Sequence, residues 1–101
     1  MNREKKVMLD FSSVQVEMEI DKFKEMDISK AVGNGIRMGT NDIGLDDWCR
    51  EVYHHGKAET PVDWLPVLKN ILGSHQVPLV IATKQAAAKV IDAAIASVVK
   101  K

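Results

Sequence analysis

Three groupings of side chains in this sequence have types and spacing that could do chemistry. Asp47, Glu51 and His55 fall at i, i+4 and i+8, one face of a helix, with His54 alongside. Pairs at i/i+4 can ligate zinc, but a site needs three or four converging ligands and no fourth can be named. The plainer reading is an exposed Glu51–His55 pair, with two histidines at the negative end of the helix dipole. Cys49 could act as a nucleophile beside a histidine. Helical spacing sets it between Trp48 and Val52, on the apolar side and away from His54 and His55, where a small buried hydrophobe is expected. Gly33-Asn34-Gly35 has neither the Lys-Ser/Thr of a P-loop nor a GxGxxG spacing, so tight packing or a turn is expected there. Trp48 and Trp64 could stack on bases, yet no basic groove flanks them in the sequence, which favours core anchors. No catalytic residue, cofactor or metal is implied.

What must position these residues is one domain's worth of chain, 101 residues and 11.2 kDa. A hydrophobic content of 46% and a charged content of 28% exclude a disordered tail. Fourteen basic residues against fourteen acidic ones leave no global field for nucleic acid or an anionic membrane. The charge is uneven, however. Residues 1–70 hold ten Lys/Arg and thirteen Asp/Glu, whereas residues 71–101 hold four and one. A single cysteine excludes an internal disulfide. The apolar run after the charged N-terminus, Val7-Met8-Leu9, is too short for a secretory signal. Val77 to Val99 is interrupted by Lys84, Lys89 and Asp92, too polar for a membrane span. A cytoplasmic setting, with no membrane partner, is the expectation.

Val14 to Asp21 alternates apolar and polar over eight residues, predicting a half-buried strand. Val7, Leu9 and Phe11 alternate too, but on odd positions. The change of parity predicts a bulge or loose turn at Ser12-Ser13. Asp27 can cap a helix over 28–38 with Ile28, Ala31, Val32, Gly35 and Ile36 on one stripe, and Gly35 admitting a close neighbouring backbone. The rival is a hairpin through Asn34-Gly35. Gly39 to Gly44 reads as a polar connection. Leu45, Trp48, Cys49, Val52 and Tyr53 predict a helix over 45–55, closed by Gly56. A cap at Thr60 would put Pro66 inside a helix. A cap at Asp63 leaves it in the first turn, with Leu65, Leu68, Ile71 and Leu72 inward and Gly73 at the end. Val77 to Ala82 could be a strand or a lead-in. Thr83 would cap a last, Ala-rich helix from Lys84 to about Lys100, apolar around most of its girth.

The helix pairs are compact enough for a helix-turn-helix. The outward residues of 45–55, however, are Asp46, Asp47, Arg50, Glu51, His54 and His55, and carboxylates repel phosphates. Asp10-Phe11-Ser12-Ser13-Val14, Val32-Gly33-Asn34-Gly35-Ile36, Asp42-Ile43, Leu45-Asp46-Asp47-Trp48 and Glu51 through Gly56, in that order, resemble small proteins encoded in phages, prophages and related mobile elements. The resemblance covers residues 9–72, leaves the Ala-rich tail unmatched, and implies an accessory or assembly protein.

The expected fold is α+β: an N-terminal strand pair or bulged strand, three short helices and a long Ala-rich C-terminal helix. The alternative is an all-α bundle with an extended N-terminal arm. The expected function is non-enzymatic protein–protein interaction, self-association included, through Val90, Ile91, Ala94, Ile95 and Val98 or the edge of the 14–20 strand. Two alternatives stand beside it. One is a nucleic-acid-binding regulator using Lys84, Lys89, Lys100 and Lys101; the other is a metal-dependent activity at Asp47, Glu51 and His55.

Overall fold

The computed structural model describes residues 5–74 and 76–99. The chain is α+β, and runs β1 (Lys6–Asp10), β2 (Val14–Glu19), β3 (Lys22–Met26), α1 (Ser29–Met38), α2 (Ile43–His55), β4 (Lys57–Pro61), a 3-10 turn at Val62–Trp64, α3 (Leu65–Leu72) and α4 (Ile81–Val99). The strands form two separate antiparallel ribbons, β1 with β4 and β2 with β3. The parity switch at Ser12-Ser13 is therefore neither a bulge in one strand nor a turn joining two paired ones. It is where the chain leaves one ribbon for the other, so each can bury its own apolar set.

In the first ribbon Leu9 pairs with Ala58 and Val7 with Thr60 on the inner face, while Met8 faces solvent opposite Glu59. The second ribbon corrects the eight-residue strand. Pairing with β3 stops at Glu19, after an irregularity between Glu17 and Glu19, and Ile20-Asp21 makes the turn. Asp21 takes φ +66°, a left-handed conformation that aspartate tolerates, and its N–H donates to Glu17 Oε2 at 2.7 Å. Val16 is buried, but Met18 and Ile20 lie beyond the cover of the core and Ile20 is 86% exposed.

Residues 29–38 are helical, so the Asn34-Gly35 hairpin is not formed. Asp27 acts one residue outside the helix: its Oδ1 accepts from the Ser29 N–H at 2.9 Å and the Ser29 hydroxyl at 2.5 Å. Helix α2 begins two residues earlier than expected, because Asp42 Oδ1 accepts from the Gly44 N–H and draws Ile43 and Gly44 into the first turn. Gly56 ends it at φ +81° and returns the chain as β4, alongside β1. Thr60-Pro61, the helix start set aside because of Pro66, is the end of that strand. Helix α3 has Pro66 in its first turn as expected, burying Leu65, Leu68 and Leu72 with Ile71 half-buried, but Asp63 lies in the 3-10 turn and does not cap it: the helix follows directly on Trp64 with no side-chain cap.

Residues 77–80 make no strand. Their N–H groups turn locally, Val77 to Ser74 O and Leu79 to Val77 O, and Pro78 has none to give. The run packs instead on one glycine of α1 and the glycine that ends it: a Cβ on Gly39 would meet Val77, and one on Gly35 would meet Leu79. Helix α4 then starts at Ile81, with Val80 O accepting from Thr83 and Lys84, so Thr83 lies inside the helix and does not cap it. At Gly35 the close neighbour is thus the Leu79 side chain. The close backbone is at Gly33, where a Cβ would stand 2.7 Å from the Cys49 carbonyl.

Gly33→Ala should therefore lose about 1–2 kcal/mol in urea unfolding despite alanine's better helix propensity, since backbone cannot yield. Gly35→Ala, facing a flexible leucine, should stay within about 1 kcal/mol of wild type; equal losses would show that the α1–α2 approach is not the tighter one.

Serine partners also hold two aspartates below the ordinary carboxylate range: the Ser12 hydroxyl, then its N–H, at Asp10, and the Ser29 hydroxyl, then its N–H, at Asp27. A carboxyl depressed by folding stabilises the fold above its unfolded pKa, and that contribution is lost as pH falls through the folded value. Asp27→Ala should destabilise the fold near neutral pH by less than about 1 kcal/mol, since the carboxyl is exposed and lies outside the helix. Urea midpoints should show the gap closing in acid below the ordinary aspartate range, and a pH-independent gap would refute the linkage.

Candidate interaction surface

The core determines which side chains remain for function. Trp48 is 4% exposed, its ring meets Phe11 edge-on at 6.3 Å, and its indole N–H donates to Thr60 Oγ1 at 2.8 Å. The Thr60 hydroxyl in turn donates to Ala58 O at 3.1 Å, satisfying a polar pair inside the core. Trp48 is thus a core anchor and Trp64 is half-buried against the same cluster. Cys49 is 1% exposed; burial first, then the Asp46 carboxylate, pushes its pKa up to about 11. Both effects disfavour the thiolate that nucleophilic chemistry needs.

The acidic face of α2 is divided between two sides of the molecule. Glu51 and His55 form the i/i+4 pair, 3.7 Å apart and exposed. Asp47 and Glu51 border a cleft beside Lys6, Trp48, Glu59 and Trp64. Among the described residues no three His, Cys, Asp or Glu side chains gather closely enough to hold a metal. Asp46 lies on the other side, where its Oδ1 accepts from Arg37 Nε at 2.5 Å and its Oδ2 from Arg50 Nε at 2.8 Å. These guanidiniums, Arg50 foremost, hold its carboxyl below the usual range.

Helix α1 lies alongside α2 over its length. Lys30 Nζ stands 5.2 Å from the centre of the Tyr53 ring, Gly33 meets Cys49 and Tyr53, and Arg37 meets Asp46. Rising numbers on one helix meet falling numbers on the other, the pattern of an antiparallel αα-hairpin. A helix-turn-helix would splay its helices at about 90–120°.

On α4, full burial is confined to the middle of the helix, between an exposed start at Ile81 and a half-buried outer part. Ala86, Ala87 and Ile91 are buried under β1, β2 and α3, whereas no residue from Asp92 to Val98 is. Of the five residues expected at an interface, Ile91 is 0% exposed and belongs to the chain's own core, so it offers no surface. Val90, Ala94, Ile95 and Val98 are half-buried, with Ala93 and Ala96 exposed beside them. Ile95 and Val98 form one wall of an apolar cleft of about 290 Å³, with Val62, Leu65 and Pro66 opposite and Asp63 at its rim. Sequence reasoning missed Val62 and Pro66, which only the folding of the 3-10 turn against α4 brings there.

A second apolar exposure lies at the tip of the β2–β3 ribbon, where Met18, Ile20 and Phe23 are all at least half exposed. Charged residues interleave with them: Glu17, Glu19, Asp21, Lys22 and Lys24. Of the lysines proposed as a basic surface, Lys84 Nζ donates to Ser74 O and Lys89 Nζ stands 5.2 Å from the centre of the Phe23 ring. Lys100 and Lys101 lie outside the described residues. No helix among the described residues is long and apolar enough to cross a membrane. Comparison with protein-family models, curated proteins and solved structures found no match.

The Cys49 environment has a direct chemical readout. Raising a thiol from 9.0 to about 11 cuts its thiolate fraction near neutral pH about a hundredfold. A thiolate of higher pKa is also the better nucleophile, so an aromatic disulfide reagent should label the native protein at least about tenfold slower than the urea-unfolded chain; rapid native labelling would place the thiol in solvent.

Proposed function

We propose that the protein is a small non-enzymatic interaction module that associates with a second copy of itself through the outer part of α4. The supporting observation is that full burial of this helix ends at Ile91, although its apolar sequence continues and leaves Ala94, Ile95 and Val98 only half-covered. Beyond that point Ile95 and Val98 line a cleft, and alanines at 93 and 96 let another helix approach closely.

The occupant is argued from charge. A two-fold interface brings each patch against itself, so any surplus charge on it meets its like. Between 92 and 98 the only charged residue is Asp92, and Lys69 holds it at 2.7 Å. Apart from Asp63 at the cleft rim, the surface has no surplus charge to meet its like, whereas the tip of the β2–β3 ribbon interleaves five charged residues with its apolar ones. The resemblance of residues 9–72 to phage and mobile-element proteins points toward the same assembly role. For nucleic acid the support is weaker, since Lys84 and Lys89 are engaged within the chain.

Sedimentation or light scattering should find a dimer at tens of micromolar. Ala96→Glu, at an exposed position where the fold is not at stake, should raise the dissociation constant at least roughly a hundredfold, since a buried unpaired charge costs several kcal/mol. A wild-type chain still monomeric at about 0.5 mM, a concentration that reveals even weak association, would end the proposal.

A further inference from the structure

We propose that the cleft between α1 and α2 binds a terminal phosphate group, gripped by Arg37 and Arg50. The site is distinct from the α4 surface. It encloses about 180 Å³ over a floor of Gly33 and Cys49, with Asn34, Arg37, Arg50, Tyr53 and His54 around it. No carboxylate lines it. Asp46 instead borders the neighbouring cavity at the α1–α2 turn, with Met38, Thr40 and Ile43.

The geometry makes this an anion site. Each guanidinium gives its Nε to one oxygen of Asp46, so a single carboxylate bridges the two arginines and fixes both arms. Two oxygens of a phosphate have nearly the spacing of a carboxylate pair, and guanidinium forks suit both. The outer Nη donors of Arg37 and Arg50 make no hydrogen bond among the described residues. Arg37, Arg50 and Asp46 together carry one net positive charge, and the Lys30 ammonium stands 5.2 Å from the centre of the ring of Tyr53, which borders the cleft. The arms are thus held before any ligand arrives, which lowers the entropic cost of binding.

Size and surroundings narrow the ligand. About 180 Å³ is below the range of roughly 300–1,000 Å³ for sites that enclose a whole small molecule, and suits one phosphoryl group. The basic strip does not continue: toward the turn it meets Asp42 and Asp46. A polynucleotide needs a longer basic track. The chemistry is therefore that of a dianionic phosphate end group, free or carried on a small molecule or a side chain.

Nuclear magnetic resonance of the full chain tests it, following the Arg Nε–Hε signals at constant ionic strength with chloride as background. The probes are inorganic phosphate, O-phosphoserine and a DNA oligonucleotide. Phosphate and phosphoserine should each give saturable shifts at Arg37 and Arg50; phosphate alone saturating marks a free-ion site, and phosphoserine binding more tightly marks a carried group. Arg50→Lys, which keeps charge but loses the fork, should weaken binding roughly tenfold. The double variant Arg37→Ala/Arg50→Ala should abolish it, while Lys57→Ala, on β4, should change nothing. Both arginine side chains are more than half exposed, at 53% and 58%, so the amide spectrum should show the variants folded. Non-saturating shifts, an unchanged response in the double variant, or saturation by the oligonucleotide alone would overturn the proposal.

Discussion

The fold converges on Phe11. Its side chain is fully buried, its N–H donates to Gly56 O at 2.9 Å, and its carbonyl accepts from the Ile28 N–H at 3.0 Å. One residue thus joins the end of the β1–β4 ribbon to the entrance of α1, while its ring props the Trp48 indole edge-on. A two-stranded ribbon is marginal alone in water. Here each ribbon is stable because a helix layer covers it, and Phe11 is the point at which both ribbons and the α1–α2 hairpin share one core. Ser12 and Ser13 can then abandon strand geometry, and Asp10 takes up the Ser12 N–H and hydroxyl that the departure leaves over.

Legibility in the sequence followed how local the cause of each element was. Helices α2 and α3 carry apolar stripes with their own punctuation, Gly56 for one and Pro66 and Gly73 for the other, so they could be read directly, although the cap at Asp42 sits in a stretch that reads as a polar connection. Strand β4 carries almost none. Lys57-Ala58-Glu59-Thr60 alternates, but its inward residues are Ala58 and Thr60, too weakly hydrophobic to register as a buried face. They are small and polar because the Trp48 indole lies over them and requires the Thr60 hydroxyl. Strand β3 is an exposed edge whose lysines protect it from pairing with other chains, so it has no buried period to detect. The 77–80 run is hydrophobic for a third reason. Val77 and Leu79 fill hollows left by Gly39 and Gly35, a cause forty residues away in the chain.

The same distinction separates the two halves of α4. Its sequence is nearly uniform in hydrophobicity from Ala86 to Val99, and periodicity alone implied a cylinder needing cover all round. Cover is supplied by β1, β2 and α3, which bury Ala86, Ala87 and Ile91 fully and beyond them only half-cover Ala94, Ile95 and Val98. What a helix exposes is thus set by the reach of its neighbours. Ile91 is consumed by the core while Ile95, one turn on, stands beside a cleft.

Charge on α2 shows the largest gap between what a sequence lists and what a surface presents. Read along the helix, Asp46, Asp47 and Glu51 make an acidic face that would repel any phosphate. Spatially, they separate: Asp47 and Glu51 turn toward β4, and Asp46 turns toward α1. Arg37 arrives there from nine residues upstream, because Gly33 lets the helices close and the four-residue turn folds them back. Arg50 is already in place one helical turn from Asp46. A carboxylate that repels anions when alone becomes, between two arginines, the strut that holds both guanidiniums by their Nε atoms. The sign of the groove is therefore a product of the hairpin's closeness, and closeness rests on the absence of a single methyl group at position 33.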